Sequence, residues 1–182
     1  GHGMQSGTLV TTTKSLFHSV TSEETPAATV VKMSQQMKAM NFRRLGMALT
    51  LIEIRGMHLR YCAAGIPPIL IYRAEQRIIE EGQTGGLPIG LTDRSTYQNS
   101  ESTLAPGDVV LMMTDGLPER TNEIGVEFGY QRARELFLKV AQETPTEICR
   151  RMAEGGDNWA GGKEQDDDVS FVALRIRRQP TI

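Results

Sequence analysis

Apolar residues along this chain recur first at helical spacing, then in strand-like runs, then at helical spacing again before a last apolar run. Residues 4 to about 20 place Leu9, Leu16, Phe17 and Val20 broadly on one helical face. Thr25-Pro26 marks a helix start, an N-cap residue followed by proline at the first helical position. The helix from there to about Met40 carries Val30, Met33, Met37 and Met40 on one stripe. Such a stripe is far more often core packing than a ligand surface.

From residue 46 the period becomes strand-like. Met47–Ile54, a turn at Arg55-Gly56, and Met57–Cys62 read as a hairpin. Strands over Ile69–Arg73 and Arg77–Glu81 follow, joined by Ala74-Glu75-Gln76. A Gly/Pro-rich loop from Gly82 to Gly90, a strand near Ser95–Glu101 and the turn Ala105-Pro106-Gly107-Asp108 lead into the apolar run Val109–Met113. A helix is expected over Tyr130–Ala141. Another starts at Thr144-Pro145-Thr146-Glu147, which carries an N-cap, an N1 proline and a capping-box Glu, and its end is blurred by Gly155-Gly156. Gly161-Gly162 open a loop to the final run, Val169–Leu174. Antiparallel strands with helices grouped at the two ends make an α+β fold rather than an alternating one. No repeat or linker divides the chain, so residues 1–182 read as a single domain.

Composition narrows the function by exclusion. A net charge of −2, with Lys and Arg scattered apart from the tail Arg175-Ile176-Arg177-Arg178, leaves no basic footprint for nucleic acid. No apolar stretch is long enough to span a membrane and no signal peptide is visible. Cys62 and Cys149 fall in different elements without metal-ligand spacing, as expected of reduced thiols in a cytoplasmic protein.

The chemistry concentrates in two acidic clusters. Asp115-Gly116 closes the run Val109–Met113, and Asp166-Asp167-Asp168 directly precedes the run Val169–Leu174. Each alone is equally ordinary as turn chemistry, or as a solvated loop that discourages edge pairing. Carboxylates gathered at strand ends, however, repel one another unless a cation lies between them. Oxygen-only ligation suits magnesium or manganese better than zinc. Taken together the clusters favour a metal site.

These residues resemble the metal-dependent protein serine/threonine phosphatases (PPM, type 2C), in their bacterial SpoIIE-like branch. Gly1-His2-Gly3 is similar to the tail of the family's Asp-x-x-Gly-His-Gly motif. Ala63-Ala64-Gly65-Ile66-Pro67-Pro68 resembles its Ala-Gly-His-Pro-Pro segment, with Ile66 where His is usual. Met113-Thr114-Asp115-Gly116-Leu117-Pro118-Glu119 resembles Thr-Asp-Gly-x-x-Glu, and Asp167-Asp168-Val169-Ser170 the closing Asp-Asp-x-Thr/Ser. The matches stand in family order across nearly the whole chain. The resemblance implies a four-layer α-β-β-α sandwich of two antiparallel sheets flanked by helices, with a two-metal Mn2+ or Mg2+ site at one sheet end. It makes Asp115 and Asp167 the catalytic metal ligands, with Gly116 allowing the tight turn beside them. Asp168 and His2 are weaker candidates. Asp166 and Asp168 flank the favoured ligand, one supporting it and one solvated.

The resemblance also implies a reaction and partners. A water activated between two ions attacks phosphorus in line, with no phosphoenzyme. The substrate is a phosphorylated STAS-type anti-sigma-factor antagonist in a bacterial signalling switch, with an upstream sensor domain in the parent. Two further acidic ligands of the family, and the opening strands that carry them, would lie before residue 1. The chain by itself is therefore expected to bind metal weakly and to be inactive or nearly so. Sheet edges left open by missing strands would favour a homodimer. The rival from another class is a non-catalytic, degenerate phosphatase-fold module that binds a switch protein, and some other magnesium-dependent hydrolase is a third reading. His18 and His58 read as structural, Asp108 as a turn residue, Glu119 as a tie for the loop after Asp115, and Trp159 as packing near the Gly-rich loop.

Overall fold

Four helices and seven strands follow one another in the computed structural model, which describes residues 4–20, 24–42, 45–83, 85–92 and 96–177. In chain order they are α1 (Met4–Ser19), α2 (Pro26–Ala39), β1 (Leu49–Arg55), β2 (His58–Ala64), β3 (Leu70–Arg73) and β4 (Ile78–Glu81). Then come β5 (Ser100–Thr103), β6 (Val109–Met113), α3 (Gly129–Val140), α4 (Pro145–Ala160) and β7 (Phe171–Arg175). Gly1-His2-Gly3, Ser95 and Arg178 lie outside the described residues. The fold is α+β with two antiparallel sheets, and it divides into two compact units, each with its own core.

The first unit comprises Gly1–Pro68 and Gln83–Thr103. Its sheet runs β1-β2-β5, all antiparallel. The Thr25 hydroxyl accepts from the Ala28 amide at 3.3 Å and Pro26 opens α2, as the sequence indicated. Val30, Met33 and Met37 are buried in the core with Leu9, Leu16, Cys62 and Ile89. Met40 is half exposed, because it is the C-cap and has left the helical stripe; Phe17 is exposed as well. The hairpin turn sits one residue later than expected, at Gly56-Met57 between the paired Arg55 and His58. Gly56 has φ +61°, the positive value that a type II′ hairpin loop requires at its first position.

The second unit comprises Ile69–Gly82 and Leu104–Ile182. Its sheet runs β4-β3-β6-β7, also antiparallel, and packs with α3 and α4 around Leu111, Met113, Phe137, Ile148 and Met152. Asp108, expected only as a turn residue, is buried and organises the approach to β6. Its carboxylate accepts from Arg73 Nη1 at 3.0 Å, the Ala74 amide at 2.9 Å and the Ala105 amide at 3.0 Å. Helix α4 starts at Thr144, whose hydroxyl accepts from the Glu147 amide at 3.3 Å, and runs unbroken through Gly155-Gly156. It ends at Gly161, where φ +64° provides a left-handed C-cap.

Candidate active site

Antiparallel pairing brings the two acidic clusters together. β6 and β7 are neighbours with Met113 opposite Phe171, so the end of β6 and the start of β7 share one edge of the sheet. The residues just beyond, Thr114–Gly116 and Asp167–Ser170, must therefore lie side by side. Thr114 joins them: its amide donates to Ser170 O at 3.1 Å, and its hydroxyl donates to Asp168 O at 3.1 Å. The same hydroxyl oxygen accepts from the Ser170 amide at 3.0 Å.

Gly116 completes the approach, though not through an unusual backbone angle. A Cβ at this position would stand 2.5 Å from Asp168 O and 3.1 Å from Val169 Cγ2. The glycine is needed for closeness rather than for turn geometry. After it, the Glu119 amide donates to Asp115 O at 2.9 Å, so the tie expected of Glu119 is made by its backbone.

Asp115 is half-buried and Asp167 exposed. The Asp168 amide donates to Asp167 Oδ1 at 2.8 Å, and the Gln165 side-chain amide donates to Asp167 O at 2.7 Å. Asp166 instead faces Lys163 Nζ and the Thr121 hydroxyl, each at 3.4 Å, and so is a pairing residue. The field of the cluster registers on its neighbours. A desolvation penalty, then repulsion from Asp115, Glu127 and Asp167, raises the carboxyl of the exposed Glu119 above its ordinary range. Tyr130 is also raised, by burial and then by Glu119, Asp115 and Glu127. Desolvation leads both shifts, and the repulsions that add to it come from acidic groups gathered around Asp115.

That charge and the all-oxygen donor set fit a hard divalent cation in kind. They fall short in number. Among the described residues no group of three or more His, Cys, Asp or Glu side chains could together hold an ion. Asp115 and Asp167 would thus be two ligands of an incomplete set, and His2 lies outside the described residues.

Sequence reasoning assigned no role to Thr114, Arg120, Thr121, Glu127, Tyr130 or Lys163. Only Thr114 could have been found, because it sits inside the Thr-Asp-Gly segment. Trp159 supports the later turn between Thr121 and Glu127: its indole N–H donates to Val126 O at 3.0 Å, and its ring meets Phe128 edge-on at 6.1 Å. The Arg132 guanidinium lies 4.3 Å over the same ring.

The family model described as Stage II sporulation protein E (SpoIIE) matches residues 1–177. Stage II sporulation protein E of Bacillus subtilis is 25% identical over 128 residues, covering 70% of this chain but only 15% of that protein. The chain therefore spans a small part of that relative's length. Among solved structures, the SiaA-PP2C domain of Pseudomonas aeruginosa superposes with a TM-score of 0.84 at 22% identity, over 97% of this chain and 72% of that one. The manganese-presoaked phosphatase domain of SpoIIE from Bacillus subtilis gives 0.64 at 15% identity, over all of this chain and 79% of that one. At such identities the superpositions establish the fold, which is that of PP2C-type phosphatase domains. With the family model covering nearly its whole length, the chain belongs to the SpoIIE family.

Proposed function

We propose that this chain is the catalytic part of a metal-dependent protein phosphatase that hydrolyses phosphoserine or phosphothreonine on a regulatory protein. The observation that carries the reading is the locked pair of loops. Thr114 and Gly116 hold the Asp115 loop beside the Asp167 loop at one sheet end, where desolvation and then repulsion from Asp115, Glu127 and Asp167 raise the Glu119 carboxyl.

Asp115 and Asp167 would hold Mn2+ or Mg2+, while Asp168 and Gly116 keep the second loop close to the first. The cation, when bound, supplies positive charge against the phosphoryl oxygens and eases removal of a proton from water. The chain's own residues do the rest. Thr114 fixes the relative height of the two loops through its paired hydrogen bonds, and Trp159 and Arg132 steady the turn that ends at Glu127.

The resemblance suggests a phosphorylated STAS-type protein as substrate, in a cytoplasmic switch that controls a sigma factor under an upstream sensor domain. Because no three ligands converge among the described residues, turnover by the chain alone is expected to be slow. The same shortfall favours a second reading, a phosphatase-fold module that binds the switch protein without hydrolysis. A homodimer through an open sheet edge is part of the proposal.

The test is manganese-dependent phosphate release from a phosphoserine STAS-type protein, by this chain and by its Asp115→Asn and Asp167→Asn variants. Slow release, lost in either variant, supports the phosphatase. Release equal in Asp115→Asn and parent overturns the site. No release even at saturating Mn2+, with tight binding of the phosphoprotein, leaves the module.

A further inference from the structure

Beneath the acidic loops lies a cation that the proposed chemistry does not use. Arg120 stands one residue past Glu119, and its side chain is only 10% exposed. Its Nε donates to Gly156 O, inside α4, at 3.3 Å, and its Nη2 to Lys163 O, beyond the end of that helix, at 3.4 Å. Nη2 also lies 3.2 Å from Asp157 Oδ1. Asp157 is well exposed, so that contact is solvated and weak. Nη1 is buried and has no hydrogen-bond partner among the described residues.

This is a poor arrangement for stability. A buried donor left unpaired costs free energy, and an apolar side chain of similar volume would avoid that cost. What the guanidinium provides is geometry. Its rigid fork donates in separate directions, and neither an aliphatic chain nor the single ammonium of lysine does so. One direction holds the Asp115 loop to α4, where Gly156 lets Leu117 approach: a Cβ there would be 2.7 Å from Leu117 Cδ1. The other direction holds Lys163, which opens the segment leading to Asp166 and Asp167. Lys163 Nζ returns to the Thr121 hydroxyl, which in turn donates to Asp166, so residues 120–121 and 163–166 are joined by three hydrogen bonds.

We propose that Arg120 is a positioning residue, which sets the spacing between Asp115 and Asp167 by clamping both of their loops to the end of α4. It touches neither carboxylate and acts through the backbone of both segments. The inference rests on the reading of those two aspartates as cation ligands, but its first test does not.

Hydrogen exchange on the metal-free chain compares the parent with Arg120→Met and Arg120→Lys. Both variants are expected to lose protection at the Glu119 and Ser170 amides while Ile71 and Leu111, in the β3–β6 ladder, keep theirs. Unchanged protection at Glu119 and Ser170 overturns the clamp. So does a uniform loss through the whole unit, which marks a merely structural side chain. The second test titrates Mn2+ alone and reads the free ion by electron paramagnetic resonance. Both Arg120 variants are expected to bind about tenfold more weakly, the usual scale for residues that orient ligands. Affinity unchanged in them but lost in Asp115→Asn refutes the positioning role and keeps the site. Affinity unchanged in Asp115→Asn refutes the site reading, and the exchange data then decide the clamp alone.

Discussion

Gly116 and Glu119 are the residues at which the site's geometry and its charge can each be tested by a single change. Gly116→Ala puts a methyl group 2.5 Å from Asp168 O, a backbone atom that cannot rotate away. The two acidic loops must then part, at a cost of about 1–3 kcal/mol typical of overpacking. Denaturant unfolding should show that loss, and cation affinity should fall with it. A fully stable Gly116→Ala protein would mean that the loops are not held this closely. Glu119 reports the field. Its carboxyl is raised in the folded state, so near and above its ordinary 4.5 the folded chain holds more protons than the unfolded one. Unfolding then releases protons, and this group's contribution makes stability fall as pH rises through that window. Glu119→Gln should remove that part of the slope in pH-dependent denaturation, and Mg2+ should lower the Glu119 midpoint in carboxyl NMR. A midpoint indifferent to Mg2+ would place no cation near Asp115. That the segments carrying Asp115, Gly116 and Asp167 would end strands was legible in the sequence, because they follow or precede short apolar runs. Arg120, Lys163 and Tyr130 were not, because what brings them to the site is the path of two loops around α4, and no local spacing encodes that path.

Elements were legible in kind wherever their ends carry their own chemistry. The starts of α2 and α4 followed from Thr25-Pro26 and Thr144-Pro145, whose hydroxyls do cap the helices. Misreadings arose where tertiary contact overrides local preference. Gly155-Gly156 blurred the expected end of the helix, yet α4 runs on through them, and the missing Cβ at Gly155 makes room for Leu136 of α3, whose Cδ2 would stand 2.3 Å from it. The pair serves close packing, not termination. The strand expected near Ser95–Glu101 occupies Ser100–Thr103, since its extent is set by pairing with His58–Tyr61 rather than by its own polar sequence. The capping chemistry makes its own prediction. Thr144→Ala should destabilise the chain by about 1 kcal/mol, and Thr144→Ser should recover most of it. Equal denaturation midpoints for Thr144→Ala and the parent would show that α4 is held by packing alone.

At the scale of the molecule, the feature that most needs a partner is the free side of β1. Seven residues long, β1 pairs with β2 on one side, and among the described residues no strand lies on the other. Leu49, Leu51 and Ile52 are half-buried and Ile54 is 38% exposed. Beside the strand runs a concavity of about 320 Å³, lined mainly by Val10, Phe17, Met33, Met47, Leu49 and Leu51. The opposite edge of the same sheet is blunted: β5 is a four-residue strand, Ser-Glu-Ser-Thr, with no apolar side chain. Long apolar edges are those that natural proteins ordinarily cover, charge or shorten. β1 departs from that practice, for its charges, Glu53 and Arg55, pair with each other at 2.6 Å. Antiparallel pairing of two copies through β1 would satisfy the free backbone groups and cover the apolar side chains by a two-fold operation. Sedimentation velocity should therefore show concentration-dependent association. Ile52→Lys, which sets a charge on the edge in each copy and thus like charges across the pairing, should shift the chain to monomer without lowering its melting temperature by more than a few degrees. A parent that remains monomeric across the accessible concentration range would mean that the edge is covered by other means, and the homodimer proposal would fall.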